Sequence, residues 1–280
     1  MTGEVTSNGT GNVTGNVTNS NQQAMRHFFA PEGRQALARL LQQRPLLAFD
    51  FDGTLAPIVT RPQQARIASG VVARLSLLAS QLPVAIITGR AISDVRNRLG
   101  FEPHFIVGNH GAEDLASPDR AGALRHALAP VRARLVAAGA GLASAGVTVE
   151  DKGQSIALHY RLARQPQAAL NRINEFLLHM DDQFHVFPGK MVVNIAPAGA
   201  PNKGDAMLAL VARSQAGQAF FAGDDANDEP VFAAAPADWL TVRIGRDDPA
   251  SQAMFYLDSA TEMARLLDQM IELLRLQRPD

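Results

Sequence analysis

No cysteine occurs in the 280 residues. That excludes disulfide scaffolds, thiolate zinc sites, iron–sulfur ligation and thiol nucleophiles together. No apolar run approaches the roughly 18 residues of a membrane span, and no charged-then-apolar signal segment opens the chain. A basic excess is missing too: 26 Lys and Arg stand against 27 Asp and Glu, a formal charge of −1. Generic binding to nucleic acid is therefore disfavoured. The expectation is a soluble, cytoplasmic protein without a nucleic-acid or membrane partner. What is present is a globular composition, 46% hydrophobic and 19% charged. The length suits about two modest domains, enough to bury a proper core.

Residues 1–24 repeat Gly-Asn-Val-Thr and carry one charge, Glu4. So little apolar surface cannot offset the entropy of ordering, which predicts a disordered tail. Asn8, Asn12 and Asn16 each begin an Asn-x-Thr triplet, but without a signal segment the tail is expected to be merely polar. Beyond it, apolar runs at Leu46–Phe49, Val84–Thr88, His104–Val107, Phe220–Ala222 and Leu240–Ile244 alternate with helical patterns at Val71–Ser80, Ile92–Leu99 and Lys203–Arg213. Unbroken apolar strands alternating with helices predict an α/β fold, a doubly wound, Rossmann-like parallel sheet covered on both faces. Met263, Leu266, Leu267, Met270, Ile271 and Leu274 follow the three-four spacing of one buried helix face.

The middle of the chain breaks this rhythm. Asp119 to Gly146 is Ala- and Arg-rich and helical, and a second helix is expected near Ala168–Met180. Strand patterns follow at Val147–Asp151, Ser155–Tyr160, Phe184–Phe187 and Met191–Ala196. Hairpin-like strands plus two helices predict a separate α+β unit over 117–198, inserted between core segments 25–116 and 199–280.

Four strings carry chemistry. Leu47-Ala48-Phe49-Asp50-Phe51-Asp52-Gly53-Thr54 ends an apolar strand in two carboxylates. In open α/β sheets that is where ligands bind. Two close carboxylates do not both ionise cheaply without a cation, which suits one as nucleophile and the other as proton donor. Thr88, Gly89 and Arg90 close a second strand, where a hydroxyl, a backbone N–H and a helix start make an anion site; a simple capped turn is the plainer alternative. Asn202-Lys203-Gly204 opens a helix with a cation. Gly223-Asp224-Asp225-Ala226-Asn227-Asp228 ends a further strand in oxygen ligands of the kind Mg²⁺ takes, although acids also suit a helix N-terminus on their own.

In order and spacing, the four strings around 46–115 and 200–245 resemble the haloacid dehalogenase phosphatase superfamily. The resemblance implies that Asp50 attacks phosphorus and Asp52 protonates the leaving alkoxide. It implies that Thr88 and Lys203 hold phosphoryl oxygens. Mg²⁺ would be held by Asp50, the backbone carbonyl of Asp52, Asp224 and Asp225, with Asp228 close behind. Three further strings narrow the likeness: Val107-Gly108-Asn109-His110-Gly111-Ala112-Glu113, Glu150-Asp151-Lys152-Gly153, and Gly189-Lys190-Met191-Val192-Val193-Asn194. With them, residues 43–275 resemble the trehalose-6-phosphate phosphatase family, whose cap is inserted in the same place.

That resemblance implies a Mg²⁺-dependent hydrolase of trehalose 6-phosphate. Glu150, Lys152, Lys190 and Asn194 would reach over the site from the cap, with Arg161 as a further phosphate- or sugar-side candidate. Gly89, Arg90, Asn109, His110 and Gly111 would line the core side. Asn194 departs from the family, which has Glu there; Asn keeps an acceptor but loses the charge, which leaves room for another sugar phosphate. A non-catalytic sugar-phosphate-binding module is the rival of a different class. Such a relative would be expected to have lost one of Asp50, Asp52, Lys203 and Asp224, and all four are present. Gly153-Gln154-Ser155 nearly fits a nucleophile elbow, but it enters a strand and lacks the closing glycine. No synthase-like domain precedes the tail, so a partner synthase would be a separate chain.

Overall fold

The computed structural model describes residues 25–277 except His179. The predicted tail at 1–24 and its Asn-x-Thr triplets lie outside the described residues. The strands in chain order are β1 (Arg26–His27), β2 (Leu46–Phe49), β3 (Val84–Ile87), β4 (Phe105–Gly108), β5 (Glu113–Asp114), β6 (Thr148–Asp151), β7 (Ile156–His159), β8 (Phe184–Gly189), β9 (Val192–Pro197), β10 (Ala219–Gly223), β11 (Leu240–Ile244) and β12 (Phe255–Leu257). The helices are α1 (Pro31–Gln42), α2 (Ser69–Ala79), α3 (Ile92–Leu99), α4 (Pro118–Ala127), α5 (Ala129–Ser144), α6 (Pro166–Leu177), α7 (Lys203–Ser214), α8 (Glu229–Ala234) and α9 (Met263–Leu276).

The larger sheet has the order β1-β12-β11-β10-β2-β3-β4-β5. Its pairs are parallel except for the β4–β5 edge. Strands alternate their side chains, and both faces are covered. Leu47 and Phe49 join one apolar cluster with α1, α2 and α9. Leu46 and Ala48 point the other way, into a cluster with Met207 and Leu210 of α7 and Val231 and Phe232 of α8. The six-residue stripe of α9 is buried as its spacing predicts, each side chain contributing about 1.5–3 kcal/mol of transfer free energy. Winding turns outward from β2 in both directions, so a crevice opens between the ends of β2 and β10.

The antiparallel sheet β6-β7-β9-β8 is contributed by chain lying between β5 and α7. Leu128, Val131, Leu142, Ile156, Leu158, Ile173 and Ile195 form a cluster of their own against it. The helical stretch expected from Asp119 to Gly146 is two helices, so this unit has three rather than two. Pro130 in the first turn of α5 lacks the N–H that would continue α4, and the chain turns at Leu128.

Candidate active site

Asp50 follows β2, Thr88 follows β3, Asn109 follows β4 and Asp224 follows β10, so four strand ends meet at the crevice. Gly53 makes the first turn possible. Its φ is +80°, and a Cβ there would stand 2.0 Å from Asp224 Oδ2. Asn202 caps α7, accepting from the N–H groups of Gly204 and Asp205 at 2.8 and 3.1 Å. The first residue of that helix is Lys203, only 1% exposed. Its ammonium donates to Asp50 Oδ1 at 2.8 Å and to Asp228 Oδ1 at 2.6 Å.

Asp228 is fully buried. Besides Lys203, it accepts the backbone N–H groups of Asp224 and Asp225 at 2.9 and 3.0 Å. It therefore shapes the loop that presents Asp224. Carboxylate oxygens of Asp50, Asp224 and Asp228 lie within 4.8 Å of one another. Burial, joined by the charges of Asp228 and Asp224 and opposed by Lys203, pushes the Asp50 carboxyl well up. Burial and Asp228 push Asp224 up to about 6. Three close carboxylates around one buried ammonium carry excess negative charge, and two of them resist ionising. A divalent cation fits that deficit. The ammonium of Lys190, from the turn between β8 and β9, sits on Asp224 instead.

Asp225 lines the cleft, but its carboxylate closes a local turn on Ala226 N–H and the Asn227 amide. Asp52 is held by Arg90, whose Nε and Nη2 donate to its two oxygens at 2.6 and 2.7 Å. Arg90 also binds Asp94, which in turn pairs with Arg98. The three residues Arg90, Asp94 and Arg98 recur every four positions, a helical pairing that the sequence displayed and the motif reading passed over.

A cleft of about 470 Å³ runs from this centre up between the two sheets. Asp50, Asp52, Gly89, Arg90, His110, Glu150, Lys152, Arg161, Lys190, Asn194, Lys203, Asp224 and Asp225 all line it. Thr88, Asn109, Gly111 and Asp228 stand behind its wall. The Thr88 hydroxyl accepts the Arg90 N–H at 3.2 Å. Gly111, at φ +113°, lets the chain approach Asn202; a Cβ there would meet that residue's carbonyl at 2.3 Å. Asn194 is 1% exposed and its Nδ2 makes no well-formed hydrogen bond; nor do the ring nitrogens of His110, although the Asn194 and Asn227 amides stand beside that ring. Burial, with Lys152 and Lys203 adding to it, holds His110 well below its usual pKa, so the ring is neutral.

Glu150 accepts from His159 Nε2 at 2.8 Å, which pulls its carboxyl down. Lys152 lies just past β6 and donates to the Gly89 carbonyl at 2.8 Å, 3.9 Å from Glu150. Arg161 donates to two carbonyls, Val59 at 3.0 Å and Lys190 at 2.9 Å, and straps the loop before α2 to the β8–β9 turn. His159, Asn227 and the 58–63 loop also face the cleft. None of them was given a role in the sequence: Asn227 lies inside the acidic string but between its carboxylates, and His159 and the 58–63 loop sit outside the four strings.

Among the described residues no helix is long and apolar enough to cross a membrane. A family model described as trehalose-phosphatase matches residues 48–238. A trehalose-phosphate phosphatase of Mycobacterium ulcerans is 33% identical over 255 residues. The match covers 84% of this chain and 64% of that protein, so the chain spans just under two thirds of this relative's length. The solved structure of a trehalose-6-phosphate phosphatase related protein is similar with a TM-score of 0.64 at 25% identity, covering 84% of this chain and 100% of that one. A haloacid dehalogenase-like hydrolase from Bacteroides thetaiotaomicron shares the fold alone, with a TM-score of 0.55 at 14% identity over 81% of this chain and 99% of its own. The parallel sheet with its inserted antiparallel unit is thus of the haloacid dehalogenase type, and the chain belongs to the trehalose-phosphatase family.

Proposed function

We propose that the chain hydrolyses trehalose 6-phosphate to trehalose and phosphate. The observation that carries this reading is the buried Asp50 carboxylate at a strand end, gripped by Lys203 beside Asp224, beneath a cleft whose upper wall is polar. An Asp50 oxygen attacks phosphorus, the bond from phosphorus to the sugar oxygen breaks, and Asp52 supplies the proton to the departing alkoxide. Asp52 then takes a proton from water as the water attacks the aspartyl-phosphate, which releases phosphate and restores Asp50. Arg90 orients Asp52 through two hydrogen bonds. Lys203 neutralises the nucleophile and the phosphoryl oxygens it meets. The Thr88 hydroxyl, buried next to Gly89 and accepting the Arg90 N–H, has its own hydrogen left to offer a phosphoryl oxygen at the cleft floor.

Asp50 and Asp224, with the backbone carbonyl of Asp52, are the groups that would hold Mg²⁺, and Asp225 is next in reach. Bound there, the ion would offset the charge of the carboxylates and of the phosphoryl group. Asp228 is better suited to holding Lys203 and the Asp224 loop than to ligation, since it already accepts three hydrogen bonds there. Residues 25–116 and 199–280 would act as the core and 117–198 as the cap. His110 and Asn194 bring polar atoms without well-formed hydrogen bonds to the cleft, which sugar hydroxyls would satisfy; such pairing matters because a buried unpaired group costs about 1–3 kcal/mol. Glu150, Lys152 and Lys190 add charged groups along the same wall. Cytoplasmic work on a sugar phosphate supplied by a synthase fits this reading.

Asn194 favours a second substrate, another sugar phosphate, because it brings an amide where the family brings a carboxylate. Phosphate release from a panel of sugar phosphates, with and without Mg²⁺, tests both readings, with Asp50→Asn as the blank. Preference for trehalose 6-phosphate with a silent Asp50→Asn protein is expected. Preference for another sugar moves the substrate, and turnover by folded Asp50→Asn overturns the mechanism.

A further inference from the structure

Asn109 stands at the end of β4 and is 2% exposed. Its Nδ2 has two hydrogens and three acceptors around it: Glu113 Oε2 at 2.9 Å, Gln154 Oε1 at 3.0 Å and the Lys152 carbonyl at 3.2 Å. Its Oδ1 accepts from Ser155 Oγ at 3.0 Å. Both hydrogens of this amide are therefore taken, and its oxygen already holds one donor, so little of the group is left for a sugar. Three of its four partners belong to the turn between β6 and β7. The fourth, Glu113, also accepts the N–H of Ile92 at 2.9 Å, at the start of α3. The Asn109 backbone N–H donates to the Arg90 carbonyl at 2.9 Å. One residue before Arg90, the Gly89 carbonyl accepts Lys152 Nζ.

We propose that Asn109 is a positioning residue that bolts the β6–β7 turn to the loop bearing Arg90, and so sets where Lys152 and Glu150 stand over the phosphoryl centre. The proposal rests on the sugar-phosphate reading for its substrate assay and on geometry alone for the contact. Its logic is that of a buried polar node. Each group is satisfied only while the two units keep this register, and a slip leaves several unpaired at once. The same logic gives Ser155 a role that its near-fit to a hydrolase motif disguised: its hydroxyl is a donor in the bolt, not a nucleophile.

The test uses the full chain with Ser155→Ala and Gln154→Ala on the turn side and Asn109→Ala on the core side. Turnover is measured on trehalose 6-phosphate and on a small aryl phosphate that does not reach the β6–β7 turn. For Ser155→Ala, KM for the sugar phosphate is expected to rise about fivefold to tenfold, the size of one lost buried hydrogen bond, while the aryl phosphate is unaffected. Ser155→Thr, which keeps the hydroxyl, restores the wild-type value. The double variant Asn109→Ala with Ser155→Ala is expected to be little worse than Asn109→Ala alone, because the two share one contact. Equal losses on both substrates, or fully additive losses, would overturn the proposal. If Asn109→Ala does not fold, the comparison of Ser155→Ala with Ser155→Thr decides. Amide exchange gives a readout free of substrate: the Lys152 amide, which donates to the Ser155 carbonyl at 2.9 Å, should exchange faster in Ser155→Ala and Gln154→Ala, and unchanged exchange refutes the bolt. Loss of that protection in an enzyme with no sugar-phosphate preference would sink the substrate reading and leave the bolt standing.

Discussion

Replacing Lys203 by methionine keeps the length of the side chain and removes its charge. In the native protein the ammonium lies 2.8 Å from Asp50 and 2.6 Å from Asp228, with essentially no solvent access. At an effective dielectric of about 20 each contact is worth about 6 kcal/mol before desolvation. Burial alone would depress the lysine's pKa, yet Asp228 and Asp50 outweigh it and hold the group above its ordinary range. Taking away one partner of such a buried set typically costs about 3–5 kcal/mol, because the carboxylates left behind have neither water nor a counter-charge. The Lys203→Met protein should therefore unfold at a lower urea concentration by an equivalent amount near neutral pH. The deficit should shrink on acidification, as Asp50 and Asp224, both already inclined to hold a proton, neutralise themselves. Added Mg²⁺ should narrow it as well. A stability within about 1 kcal/mol of wild type at neutral pH, below the cost of breaking a buried pair, would refute the reasoning, as would a deficit that ignores pH.

The elevated Asp224 pKa has two consequences of opposite sign. Without a cation, this group's contribution to stability is present at acid pH and is lost as pH rises from the ordinary carboxylate value to about 6. Mg²⁺ affinity runs the other way: calorimetric titration should show it weakening as pH falls through about 6, where the proton competes for the ligand. An affinity flat across that window would mean Asp224 is not a ligand. Because the Lys190 ammonium occupies Asp224, Lys190→Met should bind Mg²⁺ about twofold to fivefold more tightly, the range of a partly exposed ion pair; weaker binding in the same titration would show that Lys190 does not compete there.

Much of the core was legible because its signals are local. The bounds of β2 and α3 coincide with the apolar run Leu46–Phe49 and the periodic stretch Ile92–Leu99. The two faces of the sheet follow from alternation within β2. The edge strands β1, β5 and β12 are two or three residues long and carry no periodicity to detect. They exist because neighbouring strands offer unpaired backbone groups. The break between α4 and α5 was present as Pro130, but an alanine-rich helical pattern on both sides masked it.

At the site, the sequence by itself determined which groups stand at strand ends and at a helix start: Asp50, Asp52, Thr88 and Asp224 in the first case and Lys203 in the second are placed by the short stretch of chain around each. Tertiary structure alone decided how those groups spend their hydrogen bonds. Asn109 and Arg161 looked like sugar ligands as letters, yet Asn109 gives both its amide hydrogens to Glu113 and the β6–β7 turn, and Arg161 straps two backbone carbonyls. Asp52 goes to Arg90, 38 residues away, and Lys190 to Asp224, 34 residues away. A backbone position is fixed by its neighbours in sequence. A side chain's partner is fixed by whichever complementary group folding brings within about 3 Å, and no local pattern encodes that distance.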